Sequence, residues 1–302
     1  MEAPLLSIVI ANYNYGRFLE DAIKSVLNQC CHNVELIIID GGSTDNSIEV
    51  IKKYANGLPP KTYRPNWRVN VQQRSLEDQS QISYWVSEKD RGQSHAFNKG
   101  FAVASGQFLT WLNADDVMAS DAIDKLVRAV DKFPMQEWFI GGCCWLDGDL
   151  NVVRCSRARP LSRIRADAGN IQAYGPSSFF SRKLFERAGG NVDERFHYMM
   201  DIELWNRFYH KTGANYVMLP GYVWGFRMHP GAKTSGQRFA DSEMSKSEHP
   251  SWAKKRAEEK LNAEMYCKYR MTMLRRIVSI SPLPWLMGWV DTFRMKGRKF
   301  SA

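Results

Sequence analysis

Two adjacent carboxylates, Asp115 and Asp116, follow directly on the apolar run Phe108-Leu109-Thr110-Trp111-Leu112. A strand that stops at Asn113-Ala114-Asp115-Asp116 sets acids at the exit of a hydrophobic sheet, where open α/β sheets bind ligands. Hard oxygen donors in that place suit Mg²⁺ or Mn²⁺ carrying a phosphorylated substrate. Taken alone, the tetrad favours a polar turn ahead of a helix, because such residues are ordinary helix starters. Asp40 stands in the same relation to Val34-Glu35-Leu36-Ile37-Ile38-Ile39 and precedes Gly41-Gly42-Ser43-Thr44-Asp45. Its carboxylate can accept hydrogen bonds from a base N–H or a ribose hydroxyl. Ser43 or Thr44 would then cap the next helix. A plain tight turn at Asp40-Gly41-Gly42 suits the same residues equally well.

Placing these acids together requires a particular order of elements. Leu6 to Ala11 is a short apolar run rich in β-branched residues, followed by the turn Asn12-Tyr13-Asn14-Tyr15-Gly16 and then by helical spacing from Phe18 to Leu27. With Val34 to Ile39 as the next strand, this is a βαβ unit. A right-handed crossover makes its strands parallel and brings Asn12 and Asp40 to one edge of the sheet. A third strand is expected over Ile82 to Val86, leading into Ser87-Glu88-Lys89-Asp90-Arg91-Gly92, then a helix from Ser94 to Ala104 that stops at Ser105-Gly106. The stretch from Gly57 to Gln81, with three prolines, is too long for a routine connection and reads as a decorative or partner-contacting insertion at the opposite edge. Neither G-x-G-x-x-G nor G-x-x-x-x-G-K-[ST] occurs, which argues against a dinucleotide enzyme or a P-loop NTPase.

The chain of 302 residues, 44% of them apolar, can bury a substantial core. Its N-terminus passes straight into the first strand with no basic n-region or long apolar stretch, so a cytoplasmic location is expected. The six cysteines include the adjacent pairs Cys30-Cys31 and Cys143-Cys144, which fit neither spaced zinc ligands nor a disulfide framework, so reduced buried thiols are expected. The formal charge of +9 is a C-terminal property: from Trp252 onward there are 12 Lys and Arg against 4 Asp and Glu. The remainder is nearly balanced, and no nucleic-acid reading module accompanies the charge. Nucleic acid is not an expected partner.

SIVIANYNYGRFLEDAIKSVLNQ, ELIIIDGGSTDNS and EKDRGQSHAFNKGFAVASGQFLTWLNADD, in that order on alternating strands and helices, resemble the family-2 glycosyltransferases of the GT-A fold. The resemblance spans roughly residues 5 to 235. It implies an α/β fold with a mostly parallel central sheet flanked by helices, and a nucleotide-diphosphate sugar held across the strand exits. Ala11 and Asn12 would line the nucleoside pocket, Asp40 would hold the base, and Asp90 would help to close the pocket. Asp115 matches the last acid of the family's D-x-D signature and would ligate Mn²⁺ or Mg²⁺ on the diphosphate. At the first acid this chain has Asn113, whose amide removes a negative charge yet still binds a ribose hydroxyl or a metal-bound water. Asp116 is either a support behind Asp115 or a helix N-cap.

The resemblance also implies inversion, in which a carboxylate takes the acceptor hydroxyl's proton as that oxygen attacks the anomeric carbon. Within His197-Tyr198-Met199-Met200-Asp201-Ile202-Glu203-Leu204-Trp205, similar to the family's M-D-x-[DE]-L-W, Asp201 takes the base position. Capping of the following helix is the competing role for Asp201. Phe179 and Phe180 are equally suited to the core and to stacking on sugar. Trp224 to Ser235 resembles the segment that closes over the diphosphate, with His229 as a third metal ligand or a purely structural residue, and Arg227 or Lys233 neutralising phosphate. No Q-x-x-R-W follows and no long apolar span is present, which favours transfer of one sugar per encounter over processive synthesis.

The expected organisation is therefore a GT-A domain over 1–238, divided into a nucleotide-sugar half (1–118) and an acceptor half (119–238), with a basic extension over 239–302. Residues 252–280 repeat apolar side chains every four positions among Lys and Arg, an amphipathic basic helix; Pro282 and Pro284 end it ahead of Trp285-Leu286-Met287-Gly288-Trp289-Val290. Such a tail suits either peripheral attachment to the cytoplasmic face of a membrane, with a saccharide or lipid-linked saccharide as acceptor, or packing on the catalytic domain. The competing functions are a catalytically degenerate nucleotide-sugar binding protein, suggested by Asn113, and a sugar nucleotidyltransferase, which lacks its glycine-rich basic phosphate loop here.

Overall fold

The computed structural model describes residues 3–29, 33–61, 82–167, 171, 173–196, 198–233 and 283–300. The insertion expected over 57–81 and the basic helix expected over 252–280 lie wholly or largely outside these residues, as do Cys30, Cys31 and His197.

Four parallel strands form the N-terminal half: β1 (Leu6–Asn12), β2 (Val34–Asp40), β3 (Tyr84–Ser87) and β4 (Phe108–Asn113). Helices α1 (Gly16–Leu27), α2 (Ser47–Ala55) and α3 (Gln93–Val103) connect them. Nearly every strand residue is buried, because helices cover both faces of the sheet. Alternation decides which face each residue serves. Ile8, Ile10, Phe108 and Leu112 join the core under α1 and α2, whereas Val9, Ile37, Leu109 and Trp111 join the one under α3. The first three strands run outward in spatial order from β1, and the chain then returns to place β4 on the other side of β1. That reversal is a topological switch point, with its crevice between the ends of β1 and β4.

The C-terminal half mixes directions. Among the described residues it comprises β5 (Val117–Met118), α4 (Ala122–Lys132), β6 (Trp138–Leu146), β7 (Val152–Ser156), α5 (Arg163–Asp167), β8 (Ser178–Ser181), α6 (Arg182–Arg187), α7 (Met200–Asn206), β9 (Val217–Arg227) and α8 (Leu283–Met295). The sheet order is β3-β2-β1-β4-β8-β6-β9-β5, with β7 beside β6; β8 runs antiparallel to β4 and β6, and β9 runs parallel to β6. Phe179 and Phe180 are both fully buried, one in each core, so neither is available to stack on a sugar. The Trp205 ring stacks on Trp111 at 5.6 Å and lies 5.3 Å from Trp138, which fixes α7 against the sheet.

One further expectation changes, and one open alternative applies to the end of the tail. Helix α2 is not capped by Ser43 or Thr44; Asp45 accepts the Ser47 N–H at 3.0 Å and also the Gly16 N–H of α1 at 2.8 Å. The tail's last residues rejoin the sheet: Asn151 bridges Lys299, and Phe300 is buried in the core. Cys143, Cys144 and Cys155 are buried free thiols. No helix among the described residues is long and apolar enough to cross a membrane.

Candidate active site

Strand register assembles the first part of the site. Asn12 of β1 pairs with Asp40 of β2, Ala11 with Asn113 of β4, and Asp40 with Ser87 of β3, so four strands release polar groups at one edge. A cavity of about 320 Å³ opens there, and Ala11, Asn12, Asp90, Asn113 and Asp115 all line it.

Asp40 does not. It is fully buried, and its carboxylate accepts from Asn12 Nδ2 (2.6 Å), Ser43 Oγ (2.5 Å), Ser87 Oγ (2.6 Å) and the Ser43 N–H (2.9 Å). Those bonds shape the loop and orient Asn12, whose own Oδ1 is buried without a hydrogen-bond partner. A buried orphan acceptor on a cavity wall is suited to a ligand N–H or O–H. Gly41 keeps that corner open, since a Cβ there would lie 2.8 Å from Asp90 Oδ2. Asp90 itself accepts the Gly92 N–H at 2.8 Å, which sets the start of α3.

Asn113 is held from both sides. Gln93 Nε2 donates to its Oδ1 at 2.7 Å, and its Nδ2 donates to Asp116 Oδ2 at 2.7 Å. An ionised carboxylate at position 113 could not donate to Asp116 as the Asn113 amide does, so the amide is matched to that acceptor. Asp116 is fully buried and also accepts the Arg227 N–H at 2.9 Å; burial, then the neighbouring Asp115, push its carboxyl well above the usual range. It supports the site from behind and caps nothing, as α4 begins only at Ala122.

Asp115 Oδ2 lies 3.1 Å from His229 Nε2. The imidazole is packed between rings, 4.5 Å from Phe18 and 5.8 Å from Tyr15, and Arg17 Nη2 meets its Nδ1 at 3.3 Å. A guanidinium only donates, so in this arrangement Nε2 carries the proton toward Asp115. Two donors about 3 Å apart also match neighbouring corners of an octahedron with bonds near 2.1 Å. Asp115 and His229 therefore fit a hard divalent cation, with Nε2 deprotonated and Arg17 turned to another acceptor. Among the described residues no cluster of three or more His, Cys, Asp or Glu forms, so a diphosphate would have to complete the ligand set.

Lys233 is the cation on the cavity wall; its Nζ donates to Gln93 Oε1 at 3.0 Å. Arg227 is not, because its side chain is buried over Phe18 and paired with Asp21 at 2.8 Å. Asp201 stands outside the cavity lining, in the first turn of α7, where its Oδ1 accepts the Ile202 N–H at 2.8 Å. Burial pushes its carboxyl up to about 6, against backbone bonds from Ile202 and Gly175 and the field of Lys233. Glu203 turns away into a pair with Arg207 at 2.8 Å. Tyr13, Tyr15, Gln93 and Phe226 also line the cavity and carried no individual signal in the sequence. For Gln93 the only hint was its place just after Asp90.

Residues 7–136 match the family model described as glycosyl transferase family 2. The chain carries a family-2 glycosyltransferase domain. An uncharacterised glycosyltransferase of Nostoc sp. is 32% identical over 193 residues, covering 60% of this chain and 52% of that protein, so the chain spans about half the length of this relative. Among solved structures, Staphylococcus aureus TarS (residues 1–349) in complex with UDP-GlcNAc matches 82% of this chain and 68% of its own, with a TM-score of 0.54 at 12% identity. A Pyrobaculum calidifontis mannosyltransferase in complex with GDP-Man and Mn²⁺ matches 82% and 64%, with a TM-score of 0.54 at 16% identity. At such identities the likeness is one of fold, and the transferase domain has the GT-A fold.

Proposed function

We propose that this family-2 domain is an inverting, non-processive glycosyltransferase that moves a sugar from a nucleotide-diphosphate sugar to a saccharide or lipid-linked saccharide. Its setting in this reading is the cytoplasmic face of a membrane during cell-surface polysaccharide assembly. The observation that carries the proposal is the cavity at the switch point, lined by Asn12, Asp90, Asn113, Asp115 and Lys233, with His229 3.1 Å from Asp115.

Asn12, oriented by Asp40, would accept from the nucleoside, with Tyr13 and Asp90 bordering the same pocket. Mn²⁺ or Mg²⁺ held by Asp115 and His229 would neutralise the diphosphate as it leaves. Lys233 adds a positive charge on that wall. Arg17, displaced from His229, has a phosphate within its chemistry. Asp201 takes the proton of the acceptor hydroxyl while that oxygen bonds to the anomeric carbon and the bond from carbon to the diphosphate oxygen breaks. A carboxyl near 6 is ionised at neutral pH and more basic than an ordinary aspartate, which suits a general base.

A panel of UDP- and GDP-sugars with Mn²⁺ tests this reading, scored by thermal shift and by slow donor hydrolysis. At least one donor is expected to raise the melting temperature only with metal and to be hydrolysed. Donor binding with neither hydrolysis nor transfer would make the chain a binding protein, the reading that Asn113 suggests.

A further inference from the structure

We infer that the outward face of α8 is a docking surface for a bilayer bearing anionic headgroups. This deepens the membrane setting proposed above and rests on that reading for the acceptor.

Helix α8 is pinned to β7 by one face. Gly288 sits against the strand, where an added Cβ would lie 3.6 Å from the Arg157 N and the Cys155 O. Thr292 Oγ1 accepts the Cys155 N–H at 2.9 Å, and Asp291 accepts from Arg157 Nε at 2.7 Å and from the Tyr222 hydroxyl at 2.6 Å. Met295 packs on the core. Positions 288, 291, 292 and 295 thus form the inward stripe of a helix.

The stripe beside it is the unusual one. Trp289 is 63% exposed and Phe293 is 83% exposed, one turn apart on the same side, with exposed Lys296 continuing the row. Single exposed apolar residues are ordinary, but two large aromatic rings side by side on a helix facing water are a patch. Along this segment the exposed charges have one sign, with Lys299 lying against the Asp147–Asp149 turn. Arg294, Lys296, Arg298 and Lys299 are exposed, while Asp291, the only acid from 283 to 300, is turned inward and neutralised by Arg157. Aromatic rings ringed by Lys and Arg, on a convex helix, are what a headgroup layer accepts.

The position of the helix agrees with its proposed task. Beneath it β7 carries Arg154, whose guanidinium lies 4.4 Å over the Trp145 ring; Trp145 meets Tyr174 at 5.7 Å, and the next residue, Gly175, holds the Asp201 carboxylate by its N–H. These contacts link β7, the strand on which the docking helix rests, to the loop that holds the proposed base.

Vesicle flotation of the full chain, without donor, tests the inference. Phosphatidylcholine vesicles with about 30% phosphatidylglycerol should carry the protein, and pure phosphatidylcholine should carry much less, with recovery falling as salt rises. Trp289→Ser with Phe293→Ser should lower the bound fraction about tenfold or more. Arg294→Gln with Lys296→Gln and Arg298→Gln should weaken the preference for anionic vesicles and its salt dependence. Both variants should keep the parent's melting temperature, since the altered side chains point away from the fold. Failure of the parent to float, or equal recovery of the aromatic variant, overturns the inference. So does a concentration-dependent dimer in sedimentation that the aromatic variant abolishes, which would assign the face to a second copy. Donor hydrolysis by the same preparations is read separately: its loss counts against the transferase reading and leaves the docking result standing.

Discussion

In the N-terminal half, Asn12, Asp40 and Asn113 are the last residues of three neighbouring parallel strands, and register alone sets them side by side. In the C-terminal half, Asp201 sits on a helix of seven residues, and His229 and Lys233 follow β9 on a segment with no regular structure of its own. The first group is positioned by backbone ladders and the second by side chains reaching across the crevice, such as Arg17 to His229 and Gln93 to Lys233. The lesson is a division of labour. In the proposed reading, a rigid sheet edge holds the nucleoside side of the donor, and adaptable segments bring the base and the groups that meet the diphosphate.

Asp201→Asn probes that division with the largest effect. Transfer should fall about 10²–10⁴-fold, the usual worth of a positioned base, while donor binding with Mn²⁺ stays at the parent level in a thermal-shift titration. In the parent, kcat/KM should fall about tenfold per pH unit below about 6. Because the folded carboxyl lies above the unfolded value, the native state binds more protons between about pH 4 and 6, and stability declines over that window as pH rises. The Asn variant should therefore unfold at a higher temperature than the parent at pH 7–8 and show no such gain at pH 4 or below. Loss of donor binding in this variant would break the separation of the halves.

Asp115→Ala should do the reverse, weakening donor and Mn²⁺ binding together by about 10²-fold or more, with transfer falling in step. Isothermal titration of Mn²⁺ with and without UDP checks it, and an unchanged metal affinity would remove Asp115 from the ligand set.

The same contrast explains what the sequence made legible. Strands buried on both faces write themselves as continuous apolar runs, so β1, β2 and β4 and the polar residues at their ends were readable, and the family resemblance ordered them. Asp40 was readable as a site residue but not as a buried brace, because its partners Ser43 and Ser87 come from the loop after β2 and from the end of β3. Gln93 and Tyr15 were missed since their relevance depends on Asn113 and on the Gly231 carbonyl, which Tyr15 meets at 3.0 Å across 216 positions of chain. Of the alternatives Arg227 and Lys233, the sequence could not choose, because Asp21 pairs with Arg227 and no local pattern links the two.

Adjacent to Asp115 in sequence, Asp116 should respond through stability first. Its replacement by Ala leaves the Arg227 N–H and the Asn113 amide N–H without their acceptor in a buried site, about 1–3 kcal/mol for each group. A lowered urea midpoint with an unchanged slope is expected, and activity should fall chiefly because Asn113 loses its orientation. An Asp116→Ala variant as stable as the parent would show that this buried network contributes nothing to the fold.

The smallest effect falls on Asp45, which ties the starts of α1 and α2 together through Gly16 and Ser47 yet lies outside the cavity wall. Burial works against its charge, but the bonds from Ser47 and the Gly16 N–H outweigh it and hold the carboxyl below the usual carboxylate range. A depressed folded value means the contribution is present at neutral pH and is lost as pH falls through it. Asp45→Ala should therefore cost about 1 kcal/mol at pH 7, as caps do, with the deficit shrinking toward pH 3. Donor affinity should hold within about twofold, because Asp40 and not Asp45 orients Asn12. If Asp45→Ala instead weakens donor binding as severely as Asp115→Ala, the sheet edge is not rigid by itself, and the helices that flank it must be counted as part of the donor site.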